Sequence, residues 1–250
     1  MRAYYILFVA LVAGLVGCAG GADNLNPPAP GFDMAHSDPA AVELADSVMA
    51  AMGGRKAWDE TRYISWNFFG RRNLVWDKHS GDVRIESLPD SVIYLVNIHE
   101  MDGRVQVKGQ EITEPDSLQR MLSRARSIWI NDSYWLVMPF KLKDTGVTLK
   151  YLGEETISKG VRCNVLELTF ADVGDTPQNK YRIYIDQKDN LVKQWAYYQR
   201  AQQDSASRVW PMDNYRRYGD ILLSADRSDS SGPRNVRVDK KLPRHVFTEF

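Results

Sequence analysis

The apolar period changes at Thr61, and that change limits what this chain can fold into. Before it, Val42, Ala45, Met49 and Met52 recur at spacings of three and four, the mark of one helix face. After it the period is two. In Arg62-Tyr63-Ile64-Ser65-Trp66-Asn67-Phe68, Ile64, Trp66 and Phe68 share a face, and Ser65 and Asn67 take the other. Leu74 and Trp76 repeat the alternation, then Val83 and Ile85, then Val105 and Val107. Gly70, Lys78-His79-Ser80-Gly81-Asp82 and Asp102-Gly103 lie between these runs and read as hairpin turns. Strands joined by hairpins pair antiparallel. The run Ser91 to Glu100 is apolar on both faces (Val92, Tyr94, Val96 against Ile93, Leu95) and is expected to be covered on both sides.

Ser37-Asp38-Pro39 opens the first helix, with Asp38 as the expected cap, and Gly53-Gly54 ends it. Trp58 is expected to pack the next turn of helix onto the sheet. One stretch interrupts the strands. Glu114-Pro115-Asp116 starts a helix whose stripe is Leu118, Met121, Leu122, Ala125 and Trp129. Asn131-Asp132 is expected to break it, and Pro139 to stop the segment that carries Trp135. Strands resume over 147–151, 163–170, 181–186 and 191–198, with one or two more between 210 and 225. The expected class is α+β. A curled antiparallel sheet forms an incomplete β-barrel, with helices packed in or over its concave face.

The N-terminus carries a different kind of signal. Arg2 precedes an apolar run from Tyr4 to Val16, then Gly17. This order is that of a secretory signal peptide. At about 13 residues the run is too short for a bilayer span, which needs about 20. Leu15-Val16-Gly17-Cys18 resembles the lipobox of bacterial lipoproteins, which implies cleavage before Cys18 and lipid on its thiol. Residues 1–17 are then the signal peptide and 18–37, with Gly20-Gly21 and Pro27-Pro28, a flexible tether. Residues 38–250 form the domain. Two or three acyl chains suffice for stable anchoring. Ala19, which is not Asp, goes with outer-membrane sorting, so the expected place is the cell envelope, on the outer membrane facing the periplasm.

Basic and acidic residues balance at 32 each. A nucleic-acid binder shows a basic surplus, so that partner class is not expected. With Cys18 lipidated, Cys163 has no disulfide partner and reads as a buried structural thiol. His36, His79, His99 and His245 form no metal-ligand spacing, and neither GxSxG nor GxxxxGK[ST] occurs. Glu154-Glu155 reads as a solvated strand end, Asp186, Asp189 and Asn190 as a turn, and Arg120, Arg124 and Arg126 as a solvated helix face. No metal, cofactor or catalytic group is expected, and the protein reads as a non-enzyme.

The order helix, strands, helical insert, strands, behind a lipobox, resembles the LolA/LolB/LppX superfamily of bacterial envelope proteins. Tyr181 to Asp186 and Asn190 to Trp195 are similar to that superfamily's late strand–Asp turn–strand pair, and Tyr215 to Gly219 and Leu242-Pro243 fit the same order. The resemblance implies an apolar cavity and a hydrophobic ligand: a lipid, or another lipoprotein, bound by its acyl chain. The residues expected to line it are Ile64, Trp66, Phe68, Leu74, Trp76, Leu122, Trp129, Trp135, Leu166 and Leu168. The same residues also suit an ordinary filled core. In that case the domain is an envelope module for protein interaction or sensing.

Overall fold

A computed structural model describes residues 25–171 and 173–250. The signal peptide and Cys18 lie outside the described residues. The described residues form fourteen strands and four α-helices. The first half of the chain builds an antiparallel sheet by successive hairpins: β1 (Tyr63–Phe68), β2 (Arg72–Asp77), β3 (Asp82–Ser87), β4 (Val92–Asn97), β5 (Asp102–Val107) and the two-residue β6 (Gln110–Glu111). The register is regular, with Trp66 opposite Leu74 and Leu74 opposite Ile85. Each hairpin therefore keeps one apolar face in phase with the next. Gly103 sits at φ +147°, and a Cβ there would run into the Leu95 carbonyl of the paired strand. Only glycine allows β5 to leave its turn so close to β4.

The second half builds another sheet from β7 (Val147–Thr156), β8 (Arg162–Phe170), β9 (Lys180–Asp186), β10 (Val192–Tyr198) and β11 (Arg208–Pro211), in the order β11-β10-β9-β8-β7. A small ribbon follows, β12 (Tyr215–Tyr218) with β13 (Ile221–Ser224). β14 (Pro233–Asp239) then returns to pair with β1, so the first sheet has the order β14-β1-β2-β3-β4-β5-β6. The class is α+β as expected, and the sheets do not close into a barrel. The two large ladders are separate sheets.

α1 (Pro39–Ala51) buries Ala41, Ala45, Val48 and Met49, and α2 (Gly54–Glu60) buries Trp58. Asp38 occupies the capping position but caps nothing. Its carboxylate accepts from the Tyr151 N–H and from Lys150, each at 3.0 Å, and so ties the start of α1 to β7. The expected tether is also docked over its described part. Ala29 N–H donates to the Lys143 carbonyl at 2.9 Å and Asp33 N–H to the Val147 carbonyl at 3.0 Å, and Phe32 joins the core. The strand edge of β7 offered unpaired backbone groups, and this segment takes them.

α3 (Pro115–Val137) runs 23 residues without a break, followed by a single 3-10 turn over Met138–Phe140. Glu114 caps it, its carboxylate accepting from the Asp116 and Ser117 N–H groups at 3.0 and 2.7 Å. The break expected at Asn131-Asp132 is absent. Asp132 is wholly buried and paired with Arg72 on β2, at 2.6 and 2.9 Å. A helix interior accepts a carboxylate there because a guanidinium meets both oxygens.

α4 (His245–Thr248) lies on the opposite face of the first sheet, where Arg84 and Arg104 donate to the carbonyls of Val246, Thr248 and Glu249. It covers the outer side of β4, and Leu95 is buried beneath it, which meets the expectation for that strand. No described helix is long and apolar enough to cross a membrane.

Candidate functional site

All ten residues expected to line a cavity fall in one continuous apolar cluster between α3 and the two large sheets. Ile64, Trp66, Phe68, Leu74 and Trp76 come from the inner face of β1 and β2, Leu166 and Leu168 from β8, and Leu122, Trp129 and Trp135 from α3. The alternation of each strand puts these side chains on one side, and the helical period brings Leu122, Trp129 and Trp135 toward them. Eight are buried, and Trp129 and Trp135 are partly buried against the rest.

The cluster is packed ring on ring. Trp76 meets Trp129 edge to face, with centroids 5.2 Å apart. Trp135 meets Phe68 at 5.9 Å, Trp195 at 4.9 Å and Trp210 at 4.6 Å. Trp58 stacks on Phe140 at 4.4 Å beneath α2. Three hollows of the described residues lie elsewhere. One of about 10 Å³ sits beside α1. Two open grooves of about 640 and 350 Å³ flank α4 on the outer face of the first sheet. Between α3 and the sheets these side chains pack against one another.

Sequence reasoning missed Trp195, Tyr134 and Tyr181, which join the cluster from β10, α3 and β9. Trp195 is 1% exposed and stacks on Tyr181 at 5.5 Å. The alternation of Val192 with Gln194 and of Trp195 with Ala196 hides its direction, because a register shift between Val192 and Gln194 reverses the phase.

This interior is apolar but not free of polar atoms. The indole N–H groups of Trp66, Trp76, Trp129 and Trp195 and the Tyr134 hydroxyl are buried with no hydrogen-bond partner among the described residues. Edge-to-face packing offers some of these groups the face of a neighbouring ring, a weak acceptor. Burial raises the Tyr134 phenol well above its ordinary pKa. An unpartnered buried donor costs about 1–3 kcal/mol. Five of them at one seam, contributed by α3 and both large sheets, is a concentration that packing alone does not require. Tyr134→Phe is accordingly expected to leave the midpoint of denaturation unchanged or raise it by up to about 1 kcal/mol. A loss greater than that would show that the hydroxyl has a partner in solution.

Polar residues elsewhere have structural roles. Arg120, Arg124 and Arg126 are exposed on α3, and Glu154 and Glu155 are exposed at the end of β7. Asp186 and Asp189 accept from the backbone N–H groups of Lys188 and Leu191 within their turn, each at 2.9 Å. Cys163 is buried in a second, smaller cluster outside the sheet of β7–β11, and burial pushes its thiol up to about 11. His36 pairs with Asp33 at 2.9 Å, and His79 Nε2 lies 2.8 Å from the Asp59 carbonyl. No group of three or more His, Cys, Asp or Glu is placed to hold a metal among the described residues.

No protein-family model matches the chain, and no curated protein does. Among solved structures it is similar to a DUF1329 family protein from Desulfovibrio piger, at 16% identity over 85% of this chain and 98% of that one, with a TM-score of 0.45. It is similar as well to a putative outer membrane lipoprotein-sorting protein domain from Vibrio parahaemolyticus, at 10% identity over 83% of this chain and 96% of that one, with a TM-score of 0.42. A third likeness, to MucB, has 13% identity over 75% of this chain and 66% of that one, with a TM-score of 0.26.

Proposed function

We propose that the protein binds a hydrophobic, acyl-bearing ligand without catalysis, held at the cell envelope by a lipid on Cys18. The half-barrel is the receptacle and α3 its cover, so the filled interior is the closed form. One observation supports this reading: five buried donors along the seam between α3 and the sheets have no hydrogen-bond partner among the described residues. An acyl ester or amide brings both the methylenes to replace the apolar contacts and the carbonyl oxygens to accept those donors. Each methylene moved out of water contributes about 0.8 kcal/mol, so a long chain is enough to offset lifting part of α3. The ligand-lining residues are then the ten named above, with Tyr134 and Trp195 added. A protein partner in the envelope would deliver or receive the ligand.

The packed interior favours a second reading, in which the core stays closed and the domain is an interaction or sensing module. Titration of the purified protein with a fluorescent fatty acid separates the two. The ligand-binding reading expects saturable uptake and quenching of the interior tryptophans, since all seven of the chain's Trp lie in or against this cluster. It also expects lipid to co-purify, detected by mass spectrometry. A protein that takes up no fatty acid or phospholipid, and carries none, is the filled-core module.

A further inference from the structure

Arg227 lies on the loop between β13 and β14 and is 2% exposed. Its Nε donates to Ser224 Oγ at 3.1 Å, and its Nη2 donates to the Trp135 carbonyl in the last turn of α3 at 2.6 Å. Its guanidinium carbon is 5.9 Å from the centroid of the Trp135 ring. The remaining nitrogen, Nη1, has no partner among the described residues. Ser231 Oγ, four residues on in the same loop, is buried and also unpartnered.

The charge of Arg227 is not compensated. No described carboxylate lies within ion-pair distance of it, and the two acids that act on it from further off are occupied. Asp213 accepts from Lys159 and Ser228, and Asp229 accepts from the Ser231 N–H. Burial accordingly lowers the guanidinium to about 10. The α3 carbonyl end supplies only a partial negative charge, about half an elementary charge spread over several groups. That accounts for Nη2 and leaves Nη1 and the net charge without an answer. A buried cation is normally paired, because the desolvation penalty otherwise stands alone.

The position of the group says what it would meet. Gly232 is wedged against both side chains: a Cβ there would stand 3.3 Å from Arg227 Nη1 and 3.4 Å from the Trp135 ring. Asp226, Ser228, Asp229 and Ser230 around Arg227 are exposed, so the guanidinium is one layer below the surface. Trp135, on its other side, belongs to the apolar cluster. Arg227 thus stands where that cluster ends and solvent begins.

We propose that Arg227, with the Ser231 hydroxyl as a second donor, receives the anionic head of the acyl ligand, a carboxylate or a phosphate monoester. This rests on the hydrophobic-ligand reading and narrows it: chains ending in an oxyanion are taken, and neutral esters are poor ligands. A guanidinium offers an oxyanion parallel N–H donors, which a neutral carbonyl cannot match.

The test compares palmitate, methyl palmitate and inorganic phosphate on the purified protein, by fluorescence titration and thermal melting, in wild type and in Arg227→Met. Wild type is expected to prefer palmitate over methyl palmitate by about tenfold or more. In Arg227→Met the two are expected to bind within about twofold of each other. Equal binding of the two amphiphiles by wild type would overturn the anion receptor while leaving hydrophobic binding intact, whether or not the variant folds. If neither amphiphile binds but phosphate raises the melting temperature of wild type and not of Arg227→Met, the anion site stands and the acyl reading falls. If phosphate is also without effect, both fall. Phosphate acting alone marks a free anion as the ligand, and palmitate acting without phosphate marks a lipid head.

Discussion

Arg72→Ala is expected to cost about 3–5 kcal/mol, read as a shift of the denaturant midpoint. The guanidinium meets both oxygens of Asp132, which is wholly buried in the C-terminal third of α3. Removing it leaves a carboxylate in an apolar interior with only the Asn131 amide for company. The pair is not thereby a large net source of stability. Exchanging both residues for apolar ones, in Arg72→Met with Asp132→Leu, is expected to recover most of the loss. The pH dependence has a definite sign. Burial already raises Asp132 above the ordinary carboxyl range, and loss of Arg72 raises it further. A group with a raised folded-state pKa adds stability as pH falls toward its unfolded value, so the defect should shrink between neutral pH and about pH 4. If the pair pins α3 as a cover, the variant also takes up fluorescent fatty acid faster than wild type. A cost below about 1 kcal/mol would show that water already reaches Asp132, and the pinning idea would go with it.

Trp195→Ala is expected to cost a comparable 3–5 kcal/mol. The ring is 1% exposed and touches Tyr134, Trp135, Tyr181 and Trp210, so its removal opens a void between α3 and the sheet of β7–β11 that four aromatic rings cannot close. Trp195→Phe separates volume from polarity. The indole N–H has no hydrogen-bond partner among the described residues, so this variant is expected to cost clearly less than Trp195→Ala. A Phe variant as damaged as the Ala variant would mean that the N–H is bonded in solution.

The two residues differ in how much of their role can be read without the fold. Trp66 and Trp76 announce their direction through strict alternation, and the structure puts both on the inner face of the first sheet. Trp195 does not, because the irregular register before it shifts the phase of β10. Asp132 reads as a helix break for the same kind of reason. A lone acid among apolar residues is unfavourable in a helix interior unless something remote neutralises it, and Arg72 is 60 positions away. Asp38 is the converse case. The residue types of a cap are all present, yet the carboxylate goes to Tyr151 and Lys150, which fold beside it. The segment before it carries the Gly and Pro content of a tether, but hydrogen bonds to Lys143 and Val147 dock its described part.

Periodicity, turn residues and helix starts act over a few residues, so the sequence alone determined the α+β class, the hairpins of the first sheet and the inward-facing side chains of β1 and β2. The return of β14 to β1 pairs Ser65 with Arg237 across most of the chain. The closing of α3 onto both sheets and the isolation of Arg227 from any described carboxylate are likewise contacts between distant segments. Such contacts are chosen by the joint packing of all the elements, and no local pattern encodes them. Only the tertiary structure decided which rings meet between α3 and the sheets, because packing belongs to the assembled side chains and not to their order along the chain.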